Sequence, residues 1–85
     1  MKKHNQKTLE LIEKLIKRYK DELVFLKEHP PQKNLKEYRE GLEAGYKCIL
    51  QDLLYEKNLI YLENNNIPIN SIDRNTLWYH DLEEK

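Results

Sequence analysis

Few side chains in this sequence are suited to covalent chemistry. Cys48 is the one cysteine among 85 residues, which excludes an internal disulfide. A nucleophilic cysteine needs a histidine or a positive environment that lowers the pKa of its thiol. The histidines, at positions 4, 29 and 80, lie in terminal segments or at the ends of predicted helices, far from Cys48 along the chain. We therefore expect Cys48 to be a buried structural residue and not a nucleophile.

The C-terminal residues contain the side-chain types that bind metal ions. His80 and Glu84 are four residues apart and would share one face of a helix, with Asp81 and Glu83 beside them. Only two of these side chains would converge on one ion, whereas zinc sites have three or four protein ligands. A glycine-rich phosphate loop is also missing, because both glycines lie within a predicted helix. We expect a solvated acidic tail with no metal, no cofactor, no small-molecule substrate and no enzymatic activity.

Hydrophobic periodicity predicts the helices that position these residues. Apolar residues recur every three or four positions over about residues 5–28, which is typical of an amphipathic helix. Pro30 and Pro31 follow it, and they end the helix because proline lacks an amide hydrogen and restricts its predecessor. The apolar face of this first helix consists of Leu9, Ile12, Ile16, Tyr19, Leu23 and Leu26, with Leu11 and Leu15 widening it on one side.

A second, longer helix is predicted over about residues 34–63. Asn34 is a favoured residue at a helix start, and Glu37 is placed to complete a capping box with it. The helix should stop at three consecutive asparagines, 64–66, since asparagine tolerates the left-handed conformation of a helix end. The connection between the two helices is roughly five residues long, which predicts antiparallel packing as a helical hairpin.

The apolar face of the second helix widens in its C-terminal half. Leu50, Leu54 and Tyr61 extend it on one side, and Cys48 and Leu59 extend it on the other. One partner helix covers only a single stripe, so this half must be covered from two directions, by the rest of the chain or by another molecule. The narrow stripe itself consists of Leu35, Tyr38, Leu42, Tyr46, Ile49, Leu53 and Ile60.

The C-terminal residues are predicted to pack on the hairpin, so that residues 1–85 form one helical domain. Pro68 favours an extended segment, and Asn70-Ser71 can cap a short helix over about residues 71–83. An irregular segment that packs through Trp78 is the alternative to this helix.

Gly41 and Gly45 are the only glycines of the sequence, and both lie inside the second predicted helix. Each interior glycine destabilises a helix by about 1 kcal/mol relative to alanine. With Cys48 they would form a groove of small side chains, which permits close approach of another backbone or an aromatic ring. A bend or break of the helix near Gly41, or a neutral position on an exposed face, are the other interpretations. Close approach is favoured, because the apolar face widens directly after the glycines.

Charged residues make up 35% of the sequence and sum to zero, but they are unevenly distributed. Residues 1–20 carry seven basic and two acidic side chains, whereas residues 61–85 carry two basic and five acidic ones. Clustered basic residues on a helix can contact nucleic-acid phosphates. Interspersed acids and the zero net charge favour instead a solvated face or a complement to the acidic tail. The basic residues are Lys14, Lys17, Arg18 and Lys20, together with Lys2, Lys3 and Lys7.

Aromatic residues point to a protein–protein contact. Tyr19, Tyr38 and Tyr46 fit the buried faces, whereas Phe25 and Tyr55 lie off them. Exposed aromatic side chains are favoured at interfaces, but core packing or intrachain packing against the tail is the slightly preferred interpretation of each residue, with a partner surface as the alternative. We predict a surface for a partner protein or a second copy of the chain, as a homodimer. Its residues are Phe25, Gly41, Gly45, Cys48, Leu50, Leu54, Tyr55, Leu59 and Trp78.

The first residues lack the apolar stretch of a signal peptide, and no apolar run reaches the roughly 18 residues of a membrane span. We therefore expect a cytoplasmic protein without membrane contact. Its composition, rich in Lys, Glu, Asn, Ile and Tyr, resembles that of small accessory proteins of phages and mobile elements in low-GC Gram-positive bacteria. Some of those proteins bind and inhibit host proteins. The resemblance transfers no functional residue, but it implies a non-enzymatic interaction module that modulates a host protein. A nucleic-acid-binding regulator that uses the basic first helix is the alternative.

Overall fold

Three helices form most of the part of the chain that the computed structural model describes, residues 6–83. They are α1 (Gln6–Glu28), α2 (Lys36–Asn64) and α3 (Arg74–Tyr79). Two 3₁₀ turns, Lys33–Leu35 and Ile69–Ser71, lie in the connections. These residues contain no strand, so the predicted all-α hairpin with a short C-terminal helix is confirmed. Lys2, Lys3, His4 and Glu84, which entered the sequence analysis, lie outside the described residues.

The two long helices pack antiparallel. Near the connection, the Arg39 guanidinium Nη1 donates a hydrogen bond to the carbonyl oxygen of Leu26 at 2.8 Å. Towards the other end of the hairpin, Lys57 Nζ lies 3.8 Å from a carboxylate oxygen of Glu13. Residues with higher numbers on α2 therefore contact residues with lower numbers on α1, as in an antiparallel hairpin.

The core is concentrated where the C-terminal half of α2 meets both α1 and α3. Leu62 and Leu77 are almost completely buried there, together with Ile16 and Ile60. Each fully buried side chain of this size stabilises the fold by roughly 1.5–3 kcal/mol relative to exposure. The prediction that this half of α2 needs cover from two directions is confirmed.

The end of the hairpin near the connection has only two helices and exposes apolar side chains. Tyr38 is 70% exposed, and Leu35 and Val24 are also exposed. The prediction that Tyr38 is a core residue is wrong. The side of α2 that faces α1 carries Arg39 and Tyr46, and the Tyr46 ring centroid lies 5.5 Å from that of Tyr19. Tyr38 lies to one side of these contacts.

The helix ends differ from the sequence prediction in detail. The capping box of Asn34 and Glu37 does not form, because a 3₁₀ turn takes up Lys33–Leu35 and α2 begins two residues later, with no side-chain cap. At the other end of α2, Asn66 adopts φ 58°, the left-handed conformation expected of the asparagine run. The cap of α3 is Asp73 and not Asn70-Ser71, and its carboxylate accepts from the backbone N–H of Asn75.

The second helix is unbroken through both glycines, so the interpretation of a helix break near Gly41 is wrong. The glycines therefore lie in regular helical backbone, and their role must be sought on the surface of α2. Within the described residues, no helix combines the length and the apolar character that a membrane crossing requires.

Candidate functional site

A cleft opens where α1, α2 and the C-terminal segment meet. Its volume is about 290 Å³, and its walls are mainly apolar. This volume lies at the lower end of the range of roughly 300–1,000 Å³ that is typical of small-molecule sites. The lining residues are Ile16 and Lys20 of α1, Leu50, Gln51 and Leu54 of α2, and Trp78, Tyr79 and Asp81 of the C-terminal segment.

Asn58 of α2 fixes the C-terminal segment and thereby one wall of the cleft. Its side chain is fully buried. Its Nδ2 donates to the carbonyl oxygens of Leu77 and His80, both at 2.6 Å, and its Oδ1 accepts from the N–H of Leu82 at 3.0 Å. One buried amide thus satisfies three backbone groups at the point where α3 ends.

Lys57, the neighbour of Asn58, holds the same segment by charge. Its Nζ donates to a carboxylate oxygen of Asp81 at 2.9 Å, lies 3.5 Å from a carboxylate oxygen of Glu83, and is close to Glu13 of α1. The side chains of Lys57 and Asp81 retain little exposure, so this pair is screened less than one on the surface. The two adjacent residues of α2 therefore tie α1, α2 and the C-terminal segment together.

The same contacts keep Lys57 and Asp81 charged. Burial opposes the charged form of Lys57, but the hydrogen bond to Asp81 and the nearby carboxylates outweigh it, so its pKa is raised. Burial likewise opposes the charged form of Asp81. This effect is outweighed by the hydrogen bonds that Asp81 accepts from Lys57 and from the backbone N–H of Glu83, and by the positive charges of Lys57 and Lys20. The pKa of Asp81 is therefore lowered. The prediction of a solvated acidic tail is wrong for Asp81, because its carboxylate pairs with the partly buried Lys57 of α2.

Aromatic rings form the wall of the cleft that the C-terminal segment contributes. The ring of Trp78 packs on Tyr55 with centroids 5.4 Å apart, and the Arg74 guanidinium lies 5.8 Å from the centroid of the Trp78 ring. A cation over an indole face contributes about 0.5–1 kcal/mol at an exposed site. Tyr79 is 58% exposed and stands at the open side. Tyr55 therefore packs against another residue of its own chain, which is one of the two interpretations given for it in the sequence analysis.

The structure brings together three of the predicted contact residues, Leu50, Leu54 and Trp78, each partly exposed in the cleft. Sequence reasoning missed Tyr79 and Asp81. Their position depends on the path of the C-terminal segment, which the buried amide of residue 58 fixes. An asparagine inside an apolar stretch of helix was the available signal, since buried amides are retained where they make hydrogen bonds.

The outer face of α2 is the side that contacts neither α1 nor the C-terminal segment. Apart from the adjacent residues and the backbone of its own helical turns, a methyl group placed at Gly41 or Gly45 meets no atom within 4 Å, so no other part of the described chain approaches closely there. Cys48 is exposed on this face, and the prediction that it is buried is wrong, because both covering elements lie on other sides of the helix. Leu59 is half-buried at its edge. The face consists of Tyr38, Gly41, Gly45, Cys48, Ile49, Asp52 and Glu56, all exposed.

The outer face of α1 carries exposed apolar and basic side chains. We define it by Leu11, Lys14, Arg18 and Phe25, which are all exposed and lie opposite the helix's packed side. Leu11 is 56% and Phe25 is 53% exposed, and the Phe25 ring stacks on His29 at a centroid distance of 4.0 Å. The exposure of Phe25 agrees with its predicted position off the buried face.

The four basic residues predicted as a nucleic-acid contact do not share one patch. Lys17 Nζ pairs with Asp21 at 2.9 Å, and Lys20 lines the cleft. Lys14 and Arg18 belong to the outer face of α1. This arrangement adds no support to nucleic-acid binding, which stays an alternative prediction.

Comparisons with protein-family models, with curated proteins and with solved structures found no match to this chain. Residues 6–83 bring together no group of three or more His, Cys, Asp or Glu side chains suited to a metal ion. The cleft lining includes neither a cysteine nor a histidine. Its apolar walls can hold an apolar side chain, and Lys20 can orient an acidic neighbour of that side chain.

Proposed function

We propose that this chain is a small non-enzymatic interaction protein that binds another protein through the cleft. The observation that supports this most is the convergence of Trp78, Tyr79 and two leucines from separate elements at an open surface. Tryptophan and tyrosine are the residue types most enriched where a few side chains supply most of the binding energy. A rigid pocket of this kind also lowers the ordering cost of binding.

The cleft suits a partner segment with one apolar anchor and an acidic neighbour. The anchor packs between Leu54 and Trp78. The acidic neighbour faces Lys20, which orients the segment, whereas Asp81 is already paired with Lys57. The proposed partner is a cytoplasmic protein of a host cell, which the chain inhibits by occupying its surface, in keeping with the resemblance to accessory proteins of phages and mobile elements.

The Tyr79→Ala substitution tests the cleft. Tyr79 is exposed, so its removal leaves the fold intact while it removes part of the cleft wall. A partner is captured from a host lysate by the wild-type chain, purified, and titrated by calorimetry against each variant. We expect Tyr79→Ala to weaken binding at least tenfold, about 1.4 kcal/mol, as truncation of an aromatic anchor does.

Ile69→Ala is the matched control, because Ile69 is a similarly exposed apolar residue outside the cleft. It should bind the purified partner as the wild type does. Equal affinities for Tyr79→Ala and wild type would place the contact elsewhere and contradict the proposal. Self-association of the chain into a homo-oligomer is a second part of the same proposal, supported by the exposed apolar side chains outside the cleft.

A further inference from the structure

The two outer faces carry opposite charges that the chain does not neutralise. On α1 the face is basic through Lys14 and Arg18, and on α2 it is acidic through Asp52 and Glu56. None of these four side chains makes an ion pair within residues 6–83. Asp21 and Glu22 also lie beside Phe25 on α1. Asp21 is already paired with Lys17, and against the single remaining acid Lys14 and Arg18 keep the face net basic.

The spacing of residues on the two faces matches in reverse order. Counting back from Phe25, the residues of the α1 face are separated by seven, four and three positions. Counting forward from Gly45, the same separations lead to Asp52, Glu56 and Leu59. Since all α-helices rise by about 1.5 Å per residue, antiparallel faces with equal separations meet in register. The resulting pairs are Phe25 with Gly45, Arg18 with Asp52, Lys14 with Glu56, and Leu11 with Leu59.

We propose that a second copy of the chain docks the outer face of its α1 antiparallel on the outer face of α2. Phe25 of one copy then packs on the glycine surface of the other, where no side chain blocks the backbone. The two ion pairs flank this contact, and the leucines close its far end. The inference rests on the self-association proposed above and specifies which surfaces meet.

Charge favours the α1 face over a second α2 face as the occupant. Two α2 faces paired in parallel, or antiparallel about Asp52, would bring Asp52 and Glu56 of one molecule near the same acids of the other, and like charges oppose association. The α1 face offers an opposite charge and an aromatic ring that fits the open glycines. The contact joins the α1 face of one copy to the α2 face of the next, so each end of an assembly keeps one unoccupied face. Such a contact builds rings or open chains in place of a closed two-fold dimer.

Two variants each block one face. Lys14→Glu with Arg18→Glu makes the α1 face acidic, and Gly41→Glu with Gly45→Glu fills and acidifies the α2 face. Both sets of positions are exposed, so the monomer folds in each case. By analytical ultracentrifugation we expect wild-type protein to form species larger than a dimer as its concentration rises. Each variant should associate at least about tenfold more weakly than wild type.

Mixing the two variants tests the direction of the contact. The first variant keeps its α2 face and the second keeps its α1 face, so an equimolar mixture should form a one-to-one dimer and nothing larger. A charge exchange within one chain, Lys14→Glu, Arg18→Glu, Asp52→Lys and Glu56→Lys, should restore self-association. Lys33→Glu with Lys36→Glu, exposed positions outside both faces, is the control for net charge and should behave as wild type.

Two results would overturn the inference. Undiminished association of the α1-face variant would assign the contact to other surfaces, and a wild-type chain that stays monomeric at millimolar concentration would remove the contact altogether. Neither result bears on the cleft, because Tyr79→Ala leaves both faces unchanged and partner binding is measured separately. Conversely, loss of partner binding without any loss of self-association leaves this inference standing.

Discussion

At the scale of single residues, Asn58 has the largest consequence for the fold. Replacing it by alanine leaves two carbonyl oxygens and one N–H near the core without their partner. Each lost bond contributes about 1 kcal/mol, so Asn58→Ala should lower the free energy of unfolding by about 3 kcal/mol. Urea unfolding followed by the fluorescence of Trp78, the only tryptophan, measures this directly.

Asn65→Ala is the matched control for that substitution. Asn65 also donates from Nδ2 to a carbonyl oxygen, that of Tyr61, but it is exposed and water replaces the lost bond. We expect a change below about 0.5 kcal/mol. Equal urea midpoints for the two variants would contradict the role assigned to Asn58.

The Lys57–Asp81 pair predicts how stability depends on pH. The pKa of Asp81 is lowered from 3.8, so its contribution is complete above that value and is lost as pH falls through the folded-state pKa. The pKa of Lys57 is raised from 10.5, so its contribution is complete below that value and is lost as pH rises through the folded-state pKa. Lys57→Met should therefore flatten both ends of the stability profile and cost about 1–2 kcal/mol near pH 7.

Lys17→Met provides the comparison for that prediction. Its pair with Asp21 has the same 2.9 Å distance but is exposed at both partners, so the loss should stay below about 0.5 kcal/mol. Free energies of unfolding measured from acid to alkaline pH decide between the two. A profile of the Lys57→Met protein that parallels wild type would show that the pair contributes nothing to folding.

At the scale of elements, α2 combines a stable helix with two destabilising residues on its exposed side. Gly41→Ala and Gly45→Ala should each raise the free energy of unfolding of the monomer by about 1 kcal/mol, because the new methyl group meets no neighbouring atom. The same changes should weaken self-association, since they fill the surface on which Phe25 packs. Urea unfolding at low concentration and sedimentation at high concentration measure the two effects separately.

Ala44→Gly is the complementary control on the same helix, at an exposed position outside the outer face. It should destabilise the monomer by about 1 kcal/mol and leave association unchanged. If the alanine variants gain stability and associate as wild type does, the interpretation of the glycines as neutral is correct.

At the scale of the whole molecule, the chain is elongated and unevenly packed. Its dimensions are 54 × 26 × 20 Å, and the third element covers only one end of the hairpin. A chain of this size buries a modest fraction of its surface, so apolar residues remain exposed at the two-helix end. The cleft and the two outer faces are separate surfaces, and each can be altered without changing the others.

Much of the secondary structure followed from the sequence because its signals are local. The apolar period of α1, the prolines after it and the left-handed Asn66 each act over a few residues. The same local reasoning was wrong for the capping box at Asn34, because Lys33–Leu35 form a 3₁₀ turn there instead. Helix boundaries depend on such small differences in energy, whereas the existence of long helices does not.

By itself the sequence determined that the chain is helical, that two helices form a hairpin and that α2 needs cover from two directions. Only the tertiary structure decided which apolar residues are covered. The periodic stripe of α2 placed Tyr38 and Ile49 with the core, yet the helix is rotated so that Arg39 and Tyr46 face α1 and the other two stay exposed. Periodicity defines a face to within about one residue's rotation, and the rotation itself is set by packing against the partner helix. The cleft likewise required the tertiary structure, because its aromatic wall is placed by hydrogen bonds from Asn58 to backbone groups 19 to 24 residues away.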